Sequence, residues 1–125
     1  MSLLYSIVES PAHPDLGPEC QALGIHLLKL PSQRKAINAL KRQPPDWVVA
    51  QFFYGYGNNY AGVNVSNLDV FLHSRRKYAP QAKVIVLAAP SDLPHIDKLT
   101  ALFDIHAVLA LPLDRKRLLE ILREA

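Results

Sequence analysis

The sequence predicts an α/β fold: one parallel β-sheet with helices packed on both faces. Three observations carry this prediction. Short apolar runs alternate with amphipathic stretches five times within 125 residues. The segments between them are too short to hold a second domain, so residues 1–125 read as one domain, and repeated strand–helix units give a parallel sheet with right-handed crossovers. Two of the runs, centred on Val48 and Val84, are apolar on both faces, as strands are in the middle of a sheet covered on both sides.

Each element has its own local reason. Residues 3–8 (Leu-Leu-Tyr-Ser-Ile-Val) form a β-prone run that ends before Pro11. Pro18 suits the first turn of a short helix carrying Cys20, Ala22 and Leu23, which Gly24 stops. Residues 25–30 are a second strand whose imperfect alternation suits a place near a sheet edge. Ser32 caps the next helix, which turns Ala36, Ile37 and Leu40 inward and ends at Pro44-Pro45. The central strand, residues 46–53, follows, with Gln51 at its carboxyl end. Residues 54–64 hold three glycines and three asparagines, a composition that forbids regular structure. Ser66-Asn67-Leu68-Asp69 has capping-box form and opens a helix with Leu68, Phe71, Leu72 and Tyr78 inside and Arg75-Arg76-Lys77 in its last turns. Residues 82–89 are the second fully buried strand. Ser91 or Asp92 then caps a helix carrying Ile96, Leu99 and Phe103, and residues 106–111 are the fifth strand. Asp114 caps the last helix, where Leu118, Ile121, Leu122 and Ala125 recur at helical spacing.

Composition bounds the function. Half the residues are apolar and one fifth charged, as in ordinary globular proteins, and the net charge of +3 is too mild to demand an acidic partner. Cys20 is the lone cysteine, so no internal disulfide forms, and a reducing compartment is expected. No apolar run approaches the roughly 20 residues needed to span a bilayer, and residues 1–9 lack the basic flank and cleavage site of a signal peptide. The sequence reads as a soluble cytoplasmic domain.

The element order, the length and two local segments carry a family resemblance. Asp46-Trp47-Val48-Val49 is similar to the approach to the phosphorylated aspartate in receiver domains of two-component signalling proteins, and Leu111-Pro112-Leu113-Asp114 resembles their Lys-Pro-Phe-Asp segment. The resemblance covers the whole chain and implies a flavodoxin-like three-layer sandwich with strand order 2-1-3-4-5. It also implies a site: an acidic pair after the first strand for Mg²⁺, an aspartate ending the third strand, a Thr or Ser ending the fourth, and a lysine ending the fifth. That chemistry needs carboxylates for the metal and a cation for the phosphoryl oxygens. At the matching positions this chain has Glu9 followed by Ser10, Gln51, Ala88 or Ala89, and Leu111. Shifting the register does not restore the set, since no Asp or Glu lies between Trp47 and Leu68 and no Lys between Lys98 and Asp114. The resemblance therefore implies a pseudo-receiver with no phosphotransfer, no catalytic residue, no metal and no cofactor.

Other features point to contacts. The stretch Phe53, Tyr54, Tyr56, Asn58, Tyr60 is read either as a contact loop or as a loop that fills the vacant pocket, because tyrosines offer broad area at low entropy cost. Gly55, Gly57 and Gly62 lack the spacing of a phosphate-binding loop. The five histidines do not pair at metal-ligand spacing. His13 and Asp15 read as solvated loop residues, and Ser10 with His13 lacks the marks of a nucleophile and its base. The runs Arg75-Arg76-Lys77 and Arg115-Lys116-Arg117 read as solvated faces. The second run opposes its helix dipole, a conflict that an acidic partner at that end would relieve.

The expectation is a non-enzymatic signalling module that binds another protein, or a second copy of itself, through the fourth helix, fifth strand and fifth helix. His95, Lys98, Leu102, His106, Arg115 and Arg117 are the candidate residues. An alternative is a small-molecule or nucleotide binder using Glu9, Ser10, Gln51, Tyr54 and Asn58 at the carboxyl edge. A weaker alternative is a nucleic-acid accessory domain. No membrane contact is expected.

Overall fold

The structure is a computed structural model that describes residues 2–55 and 66–124. Five strands, β1 (Leu3–Ile7), β2 (His26–Leu30), β3 (Trp47–Phe52), β4 (Lys83–Ala88) and β5 (Ala107–Ala110), form one parallel sheet in the order β2-β1-β3-β4-β5. The helices are α1 (Gly17–Leu23), α2 (Gln33–Arg42), α3 (Asp69–Tyr78), α4 (Ile96–Thr100) and α5 (Arg115–Arg123). The predicted strand order and the three-layer sandwich are both present.

The sheet separates two apolar cores. On one face Tyr5, Ile7, Val48, Ala50, Val84 and Val86 pack with Leu40 of α2, Phe71 and Leu72 of α3, and Leu99 of α4. On the other face Leu4, Trp47, Val49, Ile85 and Leu87 pack with Cys20 of α1 and with Leu118, Ile121 and Leu122 of α5. Because successive side chains in a strand point to opposite faces, β3 and β4 must be apolar throughout to serve both cores. At the edge, Leu28 and Leu30 of β2 serve the first core and Ile25 and Leu27 the second.

Local signals place the helix ends. The Ser32 side chain accepts from the Lys35 N–H at 3.1 Å, and Asp114 accepts from the Lys116 and Arg117 N–H groups at 3.1 and 3.3 Å. Gly24 ends α1 at φ 69°, a left-handed conformation open to glycine because it has no Cβ. The capping box at Ser66 forms only in part: Asp69 Oδ1 accepts from the Ser66 N–H at 2.8 Å and from its hydroxyl at 3.0 Å, but Ser66 Oγ accepts from the Leu68 N–H at 3.0 Å, and Leu68, at the N-cap of α3, gives no side-chain cap.

Three local expectations need correction. Neither Ser91 nor Asp92 caps a helix by its side chain; a 3₁₀ turn at Leu93–His95 comes first, and α4 is a five-residue helix that ends before Phe103. Pro94 sits within that turn, where its missing N–H costs nothing. Ala22 faces solvent, while Leu16, Glu19 and Cys20 form the inner side of the α1 region. His13 is 8% exposed and therefore not a solvated loop residue.

Candidate functional site at the carboxyl edge of the sheet

The strands end side by side, and their loops build two hollows there. The smaller, about 390 Å³, is lined by Glu9, Ser10, Pro11, Pro31 and Phe53. Its polar wall is a network. Glu9 Oε1 accepts from Gln33 Nε2 at 2.7 Å and from Asn67 Nδ2 at 3.2 Å. Asn67 also donates to the Gln51 carbonyl at 2.9 Å, and its Oδ1 accepts from the Phe53 N–H at 2.8 Å. One asparagine thus ties the end of β3 to the start of α3 and to the loop after β1.

The larger hollow, about 580 Å³, lies over the ends of β3, β4 and β5. Ala12 and Pro14 line it from the β1–α1 connection, Ala89 and Pro90 from the end of β4, and Leu111 and Leu113 from the β5–α5 connection. Gln51 lines it as well. This side chain is 5% exposed, and its Oε1 has no hydrogen-bond partner among the described residues. The Leu111–Pro112 peptide bond is cis.

The predicted pocket residues therefore divide. Gln51, Leu111 and Ala89 share the larger hollow, whereas Glu9 and Ser10 line the smaller one. Ala88 is fully buried and packs into the α2–α4 core, so of the two alanines Ala89 is the one at the hollow. Ser10 Oγ accepts from the Ala12 N–H at 3.0 Å and does not engage His13. The hydroxyl that His13 meets is Ser6, with Nε2 and Oγ 2.7 Å apart. Burial holds the His13 imidazole below its usual pKa, and its Nδ1 has no partner among the described residues.

The interface candidates divide too. Tyr54 leaves the cleft and stacks on His95, with ring centroids 3.9 Å apart and planes within 7°, and its hydroxyl accepts from Lys98 Nζ at 2.8 Å. Tyr54, His95 and Lys98 therefore form one cluster, with Leu102 nearby in sequence and 53% exposed. His106 sits at the opposite, amino-terminal edge, against Trp47 at a centroid distance of 5.5 Å. Tyr56, Asn58 and Tyr60 lie outside the described residues.

Arg115 answers the dipole conflict from within the chain. Its Nη1 lies 2.9 and 3.0 Å from the two carboxylate oxygens of Glu19 and donates to the Asp15 carbonyl at 2.9 Å. The Glu19 side chain is 7% exposed, so this acid is the counter-charge that the sequence reading sought in a partner. Arg117 pairs with Glu120 at 3.6 Å. Arg75 is likewise committed, donating to the Ala82 and Pro80 carbonyls, and Arg76 donates to the Leu102 carbonyl at 3.0 Å. Sequence reasoning missed Asn67, Gln33, Ser6 and Glu19. The signal for Glu19 was its place in the first turn of a helix, beside Cys20 on the inner side; Asn67 and Gln33 reach Glu9 across the fold, and Ser6 meets His13 only once the loop after β1 folds back.

No family model matches the chain, and no curated protein sequence matches it. Solved structures do. A crystal structure of an uncharacterized protein from Neptuniibacter caesariensis aligns with TM-score 0.78 and 17% identity, over 98% of this chain and 85% of that one. A response regulator receiver domain protein from Clostridium thermocellum aligns with TM-score 0.75 and 15% identity, over 99% and 93%. The receiver domain of a sensor histidine kinase from Pseudomonas aeruginosa, solved with a magnesium ion coordinated in its active site cleft, aligns with TM-score 0.72 and 16% identity, over 98% and 95%. The chain thus has the fold of response regulator receiver domains, with its two hollows at the sheet edge where open α/β sheets bind their ligands.

Proposed function

We propose that this domain is a pseudo-receiver: a non-catalytic regulatory module of a signalling pathway that acts by binding a protein and is not phosphorylated at the usual position. The observation that carries the reading is Gln51, a buried carboxamide at the end of the central strand where receiver domains keep an aspartate. A carboxamide is not the carboxylate nucleophile that phosphoryl transfer needs.

The surrounding donors do not fit Mg²⁺ either. A hard divalent cation wants several oxygen ligands, carboxylates among them. Here Glu9 lines a different hollow from Gln51, and its Oε1 already accepts two amide donors. Among the described residues no group of three His, Cys, Asp or Glu side chains could hold a metal. Leu111 brings no cation to the phosphoryl position, and Arg115 is engaged by Glu19.

For the partner surface we favour the side that carries α4, β5 and α5. Tyr54, His95, Lys98 and Leu102 offer an aromatic stack, a cation and an exposed leucine together. That mixture suits an interface, where aromatic and apolar anchors lie beside polar groups. A second copy of the chain is the other candidate partner. The basic runs give little support to nucleic acid, since Arg75, Arg76 and Arg115 all make intramolecular bonds. No helix among the described residues is long and apolar enough to cross a membrane. The lone Cys20, free and buried, fits a cytoplasmic setting.

The test is exposure of the ¹⁵N-labelled protein to beryllofluoride and Mg²⁺. The expected result is no change in the amide spectrum around Gln51, Ala89 and Leu111. Specific, saturable shifts there would overturn the proposal.

A further inference from the structure

We infer that the larger hollow is a binding site for a small, neutral, mostly apolar ring compound that donates one hydrogen bond, with Gln51 as the group that receives it. This goes beyond partner binding and stands whether or not the α4 side is an interface.

The walls set the class of ligand. Apart from Gln51 and Arg115, the described lining consists of alanine, proline and leucine side chains. At about 580 Å³ the hollow falls within the usual range for small-molecule sites. Arg115 is the one charged residue among the described lining, and its Nη1 is held by the Glu19 carboxylate and the Asp15 carbonyl. A phosphate or other anion would have to compete with a buried carboxylate for that guanidinium. A neutral ligand faces no such competition.

Gln51 sets the polar requirement. Buried polar atoms without partners are uncommon because each forfeits its hydrogen bonds to water. Among the described residues Gln51 Oε1 is such an atom, on a side chain that lines the hollow. The terminal torsion of glutamine is soft, so the amide turns its oxygen towards an incoming donor at little cost. An apolar body would fill the walls while a single N–H or O–H meets the oxygen. Sites of this kind reject an isostere that lacks the donor more strongly than they distinguish apolar shapes.

Indole tests this, with benzofuran as the ring of the same shape that lacks the N–H. Titrated into the ¹⁵N-labelled protein, indole should shift the amides of Ala12, Ala89 and Leu111 and the side-chain amide of Gln51. Benzofuran should bind about tenfold more weakly, as the loss of one buried hydrogen bond implies. In Gln51→Leu the ratio should fall to about one, with both rings still binding. Ala89→Phe, which fills the hollow, should lose both, and a dispersed amide spectrum would show that each variant is folded. Absence of shifts at these residues would overturn the inference. So would equal affinity for the two rings in the wild-type protein, or a preference for indole that survives Gln51→Leu.

Discussion

The two hollows at the carboxyl ends of the strands are built from opposite materials. Around the smaller one, Glu9 Oε1 accepts from Gln33 and Asn67, and Asn67 reaches the backbone of Gln51 and Phe53, although Gln33 Oε1 has no partner among the described residues. Around the larger one the described walls are apolar apart from Arg115 and Gln51, and Gln51 Oε1 has no partner among the described residues. A polar network of the first kind fixes loops in place, because each member loses partners if any other moves. An isolated buried amide does the reverse: it costs stability and waits for a donor. The first half of the edge is therefore cross-linked by side chains, and the second half is the more apolar one, where a donor would meet the oxygen of Gln51.

Breaking the network should cost most. Asn67→Ala removes the acceptor of the Phe53 N–H and the donor to the Gln51 carbonyl, along with one of the donors to Glu9. The expected loss is about 3 kcal/mol, since several partly buried groups lose a partner at once. Urea unfolding should show it as a lower midpoint at an unchanged slope.

Arg115→Ala should rank second. It leaves the Glu19 carboxylate, 7% exposed, without the guanidinium at 2.9 Å. Removing one partner of a fully buried pair costs about 3–5 kcal/mol; Arg115 is itself 47% exposed, which scales the expectation down to about 2 kcal/mol. The double variant Arg115→Ala/Glu19→Gln should recover part of that loss, because an amide is cheaper to leave unpaired than a charge. No recovery would mean that Arg115 matters through its bond to the Asp15 carbonyl instead.

Gln51→Leu should have the opposite sign and a smaller size. Replacing a buried amide whose oxygen has no partner among the described residues by an apolar group of similar shape is neutral or stabilising, here by up to about 1 kcal/mol. A loss of 2 kcal/mol or more would show that Gln51 belongs with the cross-linked half of the edge and would erase the contrast between the hollows.

The fold was far more legible in the sequence than the site, and the reason is the range of the forces. Ser32, Asp114 and Gly24 act within a few residues of themselves, so their roles follow from local chemistry. The apolar runs of β3 and β4 report burial on two faces without any knowledge of neighbours. Pro94 is ambiguous as a local signal: proline fits the first turn of an α-helix as well as the 3₁₀ turn it occupies here, and α4 begins after it. The site rests on longer reach. Asn67 meets Glu9 across 58 residues, and Arg115 meets Glu19 across 96. No spacing rule joins such pairs before the strand order is known. Tyr54 was legible as an aromatic loop residue, but its stack on His95 depends on where the loop lands.

His13 gives the smallest and most condition-dependent effect. It lies beside the apolar hollow in sequence, between Ala12 and Pro14, and its ring is buried against Ser6. Burial without a counter-charge disfavours the imidazolium, so the folded-state pKa lies below the ordinary value of 6.5. The unfolded chain therefore binds more protons than the folded one between those two values. Stability from this residue is complete above pH 6.5 and falls as pH drops from there towards the lower folded value. One titrating group can impose a slope of at most about 1.4 kcal/mol per pH unit, so a fall in stability shallower than that is expected as the pH drops below 6.5. His13→Gln keeps a polar group near Ser6 but cannot titrate, and its stability curve should be flatter across that window. If the two proteins lose stability in parallel, His13 is not neutral and buried as described. Where the His13→Gln curve is flatter, a Ser6→Ala variant separates two causes of the titration: it should leave the wild-type slope in place if desolvation sets it, and change it if the 2.7 Å bond does.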